Sequence, residues 1–307
     1  MNGLRVVIVG ADGFLGRRVQ QELQAADWAT PSVGDVRNRQ QLAAALAGSD
    51  AVVNAASGAP GRVRAAADAL YSLAEDLPSR PRIVHLSSMT VYGSLEGDVD
   101  ETAELRADLG EYSQAHLQAE RRAARCANSV VLRPGCEYGP RCPDWSERIA
   151  RLLAARRIGD LGAAGDGYCN LIYVDDLAGA ILRALRAPGI EQQAFNLAMP
   201  APPTWNEYFA AFAQALGAVP LVRISKRRLE LETKLLAPPL RVAQIAARAA
   251  RLPGSLTPAV FSPSLARSCR QEIRLDSRKA QRLLGANFTA LPVGLARAAA
   301  SINGAAA

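Results

Sequence analysis

The chain has 307 residues, 49% of them hydrophobic, and a net charge of +7, enough to bury a full core as one large domain or two unequal ones. No apolar run reaches the roughly 18 residues that a membrane span needs, and the apolar segment after Gly3 is too short and too strand-like for a signal peptide, so a cytoplasmic protein is expected. Seven Lys or Arg between Lys226 and Arg251, against Glu230 and Glu232, hold +5 of the charge, which argues against a nucleic-acid groove over the rest.

Val6-Val7-Ile8-Val9 reads as a buried strand that breaks into Gly10, Ala11, Asp12 and Gly13, then resumes as a helix from Phe14 and Leu15 through Gly16, Arg17 and Arg18. Glycines at 10, 13 and 16 give the spacing GxxGxxG. A turn without side chains lets a pyrophosphate lie against backbone N–H groups at the positive end of the helix. The next strand, near 28–33, runs almost at once into Gly34-Asp35-Val36-Arg37. Dinucleotide folds end this strand in a carboxylate for the adenosine ribose. Here the first carboxylate is Asp35, while Arg17, Arg18 and Arg37 suit a 2′-phosphate; NAD and NADP both stay open, with the arginines leaning to NADP.

Residues 42–47 predict a helix, and 50–57 a buried strand whose small end residues, Ala55, Ala56 and Ser57, let backbone approach a cofactor. A helix through Val63, Ala66, Leu70 and Leu73 follows, then an apolar strand from Arg82 that ends in Ser87-Ser88. Uninterrupted alternation of strand and helix implies a parallel sheet with helices on both faces and ligands at the carboxyl ends of its strands.

A Val130-Val131-Leu132 strand leads into Arg133-Pro134-Gly135-Cys136. Cys136 has no activating neighbour in sequence and reads as a packed thiol. It is one of five cysteines, with Cys126, Cys142, Cys169 and Cys269, that form no CxxC pair and have only His85 and His116 for company, a pattern of reduced structural thiols rather than of a metal site. Residues 144–157 predict a basic helix and 159–167 a glycine-rich loop. Asp175-Asp176 predicts a helix N-cap, not a metal site. Thr204-Trp205-Asn206-Glu207 has the form of a capping box. In the basic segment, Val242, Ile245, Ala249 and Leu252 make one helical stripe and Arg241, Gln244, Arg248 and Arg251 another. The expectation is a helix packed on the body by its apolar stripe; a phosphate-binding lid and a surface for anionic lipid are the sharper readings.

The series Gly10-x-x-Gly13-x-x-Gly16, Gly34-Asp35-Val36-Arg37, Ser87-Ser88-Met89-Thr90-Val91-Tyr92-Gly93, Tyr112 four residues before His116, Leu132-Arg133-Pro134 with Tyr138-Gly139-Pro140, Val174-Asp175-Asp176-Leu177-Ala178, Phe195-Asn196-Leu197 and Leu275-Asp276-x-x-Lys279-Ala280 resembles the extended short-chain dehydrogenase/reductases. Within them it is similar to the NAD-dependent epimerase/dehydratase branch. The resemblance implies an α/β fold with a Rossmann-type doubly wound parallel sheet over 1–140, to which a strand and helix near 168–187 add. A smaller mixed α/β substrate-binding part over 141–307 would include a basic amphipathic helix near 226–252.

The same resemblance implies an NAD(P)-dependent oxidoreductase or isomerase acting on a nucleotide-linked sugar by hydride transfer, with Ser88 holding the reacting oxygen and Tyr112 as acid or base. Cofactor contacts would come from Gly10, Asp12, Gly13, Phe14, Leu15, Gly16, Arg17, Asp35, Val36, Ala55, Ala56, Ser57, Tyr112, His116, Pro134 and Gly135. Substrate contacts would come from Ser88, Cys136, Arg141 and Asn170. The family's lysine, four residues past the tyrosine, is His116 here. An imidazole titrating near ~6.5 is mostly neutral at pH 7, yet it can donate to a ribose hydroxyl or be kept charged by a carboxylate. A homodimer through the helices flanking Tyr112 is a further expectation, against the polar Gln114, Gln118 and Arg121 there. Two other readings stay open: a dehydrogenase or reductase of a hydrophobic, 3β-hydroxysteroid-like alcohol or ketone, and a dinucleotide-binding regulatory protein with little or no catalysis.

Overall fold

The computed structural model describes residues 3–75, 77–250 and 259–304, which fall into two compact units. The first comprises the chain up to Glu137 together with Ile172–Pro200 and Leu275–Phe288; the second comprises Tyr138–Leu171, Ala201–Arg274 and the chain from Thr289 onward. The composition shift past Pro140 falls close to the first crossing. The late return at Leu275 leaves no mark in composition.

The first unit is a parallel sheet of six strands, β1 (Leu4–Val9), β2 (Ala29–Gly34), β3 (Ala51–Asn54), β4 (Arg82–Leu86), β5 (Ser129–Pro134) and β6 (Gln193–Leu197), in the order β2-β1-β3-β4-β5-β6. Val6 and Ile8 of β1 enter one core and Val7 and Val9 the other, and in β3 Val53 and Val52 divide in the same way. Both faces are covered, so these strands read in sequence as unbroken apolar runs instead of alternating ones. Helix α1 (Phe14–Ala25) packs on the first face through Leu15, Val19 and Leu23. Helices α2 (Arg39–Ala47), α3 (Pro60–Ala74) and α4 (Glu111–Ala123) cover the second. The winding reverses between β1 and β3, which opens a crevice at the carboxyl ends of those two strands.

A buried ion pair ties α4 to the sheet. Arg133 at the end of β5 donates from Nε (3.1 Å) and Nη2 (2.8 Å) to the Glu120 carboxylate, with both side chains out of solvent. Its Nη1 donates to the Tyr92 hydroxyl at 2.9 Å, and that hydroxyl donates onward to Asn196 Oδ1 at 2.7 Å. Tyr92 therefore joins the 3₁₀ turn Met89–Tyr92 to β5 and β6. The returning segment seals β6, where Lys279 Nζ donates to the Ala194 carbonyl and Ala198 N to Ser277 Oγ, each at 2.9 Å.

Asp175 and Asp176 stand in the first turn of helix Val174–Ala184, whose N-cap is Tyr173, so they are not the capping residues expected. Asp175 instead forms an ion pair with Arg18, its Oδ1 2.9 Å from Nε, tying that helix to α1.

In the second unit Thr204 and Glu207 form the complete, reciprocal capping box, and the helix it starts, Trp205–Leu216, buries Trp205, Tyr208, Phe209 and Phe212. The basic segment is one helical rod with a π turn at Leu231–Leu236 between Lys226–Glu230 and Ala237–Ala249. Its apolar stripe is not packed on the body as expected: Val242 and Ile245 are 67% and 65% exposed. Arg251 and Leu252 of the expected stripes, and the Arg248 side chain, lie outside the described residues. Among the described residues no helix is long and apolar enough to cross a membrane.

Replacing Glu120 by alanine strands the Arg133 guanidinium in the core; an unfolding titration is expected to show a loss of about 3–5 kcal/mol. A loss below ~1 kcal/mol would mean that water reaches the guanidinium.

Candidate active site

The chain leaves β1 at Gly10, whose φ of +81° suits glycine alone. A Cβ at Gly10 would lie 2.8 Å from the Ala55 carbonyl and the Ala56 nitrogen, and one at Gly16 would lie 2.1 Å from the Gly10 oxygen. Packing of the turn demands both glycines. Gly13 differs: its backbone is extended, and a Cβ there meets the Gly10 oxygen at 3.2 Å and Ser57 Oγ only at 3.9 Å. Gly13 is the N-cap of α1 with no side-chain cap, and no acidic residue stands in the first turn. The N–H groups of Phe14, Leu15 and Gly16 thus have no intrahelical acceptor. A turn left bare at Gly13, where packing constrains a side chain less than at Gly10 or Gly16, fits a pyrophosphate.

Around this turn, Leu15 is packed in the core and can offer only backbone, Phe14 is partly buried beside it, and Val36 packs on the other core. Ala55 and Ala56 are buried and Ser57 exposed. Asp12 is bonded by Arg62 of α3, at 2.6 Å, and this hydrogen bond holds its carboxyl below the usual range. Arg62 carries no sequence signal; only the path of α3 brings it to the turn. Arg37 bonds the Asp35 carboxylate through its own N (3.0 Å) and Nε (2.9 Å), and the side-chain bond lowers that carboxyl too. Arg17 donates to the Asp12 carbonyl. Arg18 is turned away, paired with Glu22 and Asp175. The exposed arginines of this corner are therefore Arg17, Arg37 and Arg62, not Arg18.

Ser88 follows β4 and caps the 3₁₀ turn. Its Oγ accepts from Thr90 N at 3.3 Å and from Thr90 Oγ1 at 3.1 Å, which leaves its own hydrogen to donate elsewhere. Helix α4 packs on that turn and carries Tyr112, 39% exposed, in its first helical turn. His116 lies one turn further along, 2% exposed, its ring edge-on to that of Tyr112 at 4.6 Å. Neither of its ring nitrogens has a hydrogen-bond partner among the described residues. Burial pushes its pKa down to about 4, so it is neutral at pH 7. Of the two states the sequence left open, the structure has the neutral one: no carboxylate among the described residues raises this pKa, and almost none of the ring is exposed; the imidazole packs beneath Tyr112.

A second buried histidine adjoins it. His85 of β4 is pushed down to about 3, chiefly by burial and then by the nearness of His116. Its Nδ1 lies 3.1 Å from Asn54 Nδ2, which requires the tautomer with Nδ1 as acceptor, and Asn54 Oδ1 accepts from Ala56 N at 3.3 Å. Asn54 so links the histidine layer to the backbone that Gly10 touches.

The remaining expected contacts divide. Pro134 is buried, and Gly135 N donates to the Leu197 carbonyl at 2.9 Å, which pins the loop after β5 to the end of β6. Cys136 is a buried thiol. In the second unit Arg141 is exposed, at φ +60°. Asn170 is buried and its Nδ2 donates to the Ile273 carbonyl at 2.8 Å. That bond gives Asn170 a structural task.

The model of the NAD dependent epimerase/dehydratase family matches residues 6–198. Solved structures similar to the chain include the UDP-glucuronic acid 4-epimerase from Bacillus cereus in complex with UDP-glucuronic acid and NAD, at 17% identity and a TM-score of 0.74, covering 98% of this chain and 100% of that one. The human epimerase family protein SDR39U1 (isoform 2) with NADPH is 20% identical, with a TM-score of 0.74 over 96% of this chain and 99% of that one. RMD from Pseudomonas aeruginosa complexed with NADPH is 16% identical, with a TM-score of 0.71 over 98% and 99%. At these identities the likeness is one of fold. No curated protein sequence matches the chain significantly.

Two outcomes follow from the geometry. Gly13→Ala is expected to change stability by less than about 1 kcal/mol while weakening dinucleotide binding about tenfold, whereas Gly10→Ala costs on the order of 2–4 kcal/mol; melting curves and a fluorescence titration separate the two. Unfolded imidazoles titrate near ~6.5 and both folded ones far lower, so the unfolded chain takes up more protons below that pH. Stability is complete above about pH 6.5 and falls toward pH 4 by about 1.4 kcal/mol per unit for each histidine. Denaturant midpoints at pH 7.5, 6 and 5 should show this decline, and His85→Asn with His116→Gln should flatten it.

Proposed function

Because the chain belongs to the NAD dependent epimerase/dehydratase family, we propose that it is an NAD(P)-dependent oxidoreductase or epimerase of a nucleotide-linked sugar. The observation that carries this reading is the bare glycine turn at the carboxyl end of β1, with Ser88 at the same end of β4 and the half-exposed Tyr112 on the helix packed against Ser88's turn. The Bacillus cereus neighbour is complexed with UDP-glucuronic acid and NAD, which supports a sugar nucleotide as the substrate class.

When bound, the nicotinamide would supply hydride exchange at the sugar carbon. The uncapped N–H groups of α1 would hold its pyrophosphate, and Ala55, Ala56 and Gly135 offer small surfaces beside it. Ser88 Oγ already accepts two bonds from Thr90, so it donates its hydrogen to the reacting oxygen. The Tyr112 hydroxyl takes or returns that oxygen's proton. His116 gives Tyr112 no electrostatic help, being neutral; it fixes the ring's orientation through edge-on packing. Arg17, Arg37 and Arg62 outnumber Asp12 and Asp35 at the adenosine end, which favours a 2′-phosphate and hence NADP.

The test is a fluorescence titration with NADPH and NADH, followed by incubation with UDP-glucose and UDP-glucuronic acid. Tighter binding of NADPH is expected, and Arg37→Ala with Arg62→Ala should remove the preference, by roughly tenfold, without weakening NADH. Tyr112→Phe is expected to cut turnover about 10²–10⁴-fold at unchanged dinucleotide affinity. Binding without turnover of any sugar nucleotide would overturn the substrate reading, and binding of neither dinucleotide would overturn the whole.

A further inference from the structure

Five of the ten exposed large hydrophobic side chains among the described residues fall in one short stretch: Leu231, Leu235, Leu236, Val242 and Ile245, of which Leu235, Val242 and Ile245 are 66%, 67% and 65% exposed. The other five are scattered along the chain, as is ordinary for a surface. The stretch is part of the rod from Lys226 to Ala249. Leu231, Leu235, Val242 and Ile245 recur at one- and two-turn intervals along its outer side, a stripe of roughly 20 Å at the rise of a helix.

The opposite side is anchored. Leu229, Glu232, Ala237 and Ala247 are buried, and Glu232 accepts from Arg157 Nε at 3.0 Å. The rod is thus held by one face while a large apolar face is left to solvent. Arg227, Lys234 and Arg241 follow one another at intervals of two helical turns along the edge of the apolar stripe, and all three are exposed. An apolar stripe edged by a row of cations matches the boundary of an anionic lipid surface, where acyl chains lie beneath phosphate.

We propose that the outer face of the rod Lys226–Ala249 is a peripheral docking surface for anionic membranes. The alternatives fit the charge less well. A second copy of the chain would bring the same cation row against itself, with the exposed Glu230 as its nearest acidic answer. A nucleic acid would find no aromatic side chain on the stretch to stack on. The lipid surface answers the cations and the leucines at once.

The test uses the whole protein with vesicles of phosphatidylcholine, with and without phosphatidylglycerol, in a sedimentation assay at low and high salt. Co-sedimentation is expected with the anionic vesicles at low salt and should fall steeply at high salt. Val242→Ser with Ile245→Ser, and separately Lys234→Glu with Arg241→Glu, should each lower partitioning at least about tenfold. All four side chains are exposed, and circular dichroism confirms that the variants fold. Failure to sediment with anionic vesicles at low salt overturns the proposal, as does sedimentation that neither pair of substitutions reduces. A dimer in light scattering that the serine pair dissociates, without vesicle binding, assigns the face to a second copy and also overturns it.

Discussion

The candidate site depends on a charge that has been taken out of water. Arg133 sits at the end of β5, next to the edge strand, and its guanidinium is planar, always ionised and surrounded by protein. A cation in that position must be answered on every side, and the answers come from separate parts of the first unit: Glu120 from α4, and the Tyr92 hydroxyl from the turn that Ser88 caps, held in turn by Asn196 of β6. The result is a frame in which the helix carrying Tyr112 and the loop carrying Ser88 are referred to one fixed point. Replacing such a pair by apolar side chains is often harmless to stability. What it would remove here is the directional bonding that sets one loop against one helix.

The histidine layer beneath Tyr112 completes that frame by other means. His116 and His85 are both neutral, and Asn54 is shared between His85 and the backbone beside the glycine turn. A lysine at position 116 would bring a charge and a long flexible stem. The imidazole brings a flat, rigid ring that packs edge-on against the phenol. The ring thus fixes the phenol's orientation and, being neutral, sets no charge beside it.

Much of this was legible in the sequence, and for identifiable reasons. A strand covered on both faces has to be apolar throughout, so β1, β3 and β4 announce themselves. Glycines that touch backbone cannot be anything else, and a capping box is a local device whose partners are three residues apart. What was not legible depends on long-range geometry. Arg62 reaches Asp12 across fifty positions of chain. Asp175 looked like a cap because local spacing was the only guide, whereas its partner, Arg18, lies on another helix. The same limit applies to Asn170, which is occupied by a distant carbonyl, and to Val242 and Ile245, whose spacing announces an apolar face without saying whether anything covers it.

The late return of Leu275–Phe288 to the first unit has a consequence for the order in which the protein can be made. On the ribosome β1 through β6 emerge in sequence and can pair as they appear, but the residues that seal β6, Ser277 and Lys279 among them, come only after most of the second unit has been synthesised. Until then the nascent sheet carries an open edge, the feature by which unfinished sheets recruit other chains. Completion of the first unit is thereby coupled to translation of most of the second, and a chain cut short before Leu275 would retain the six strands but lack the bonds that Ser277 and Lys279 make at the last of them.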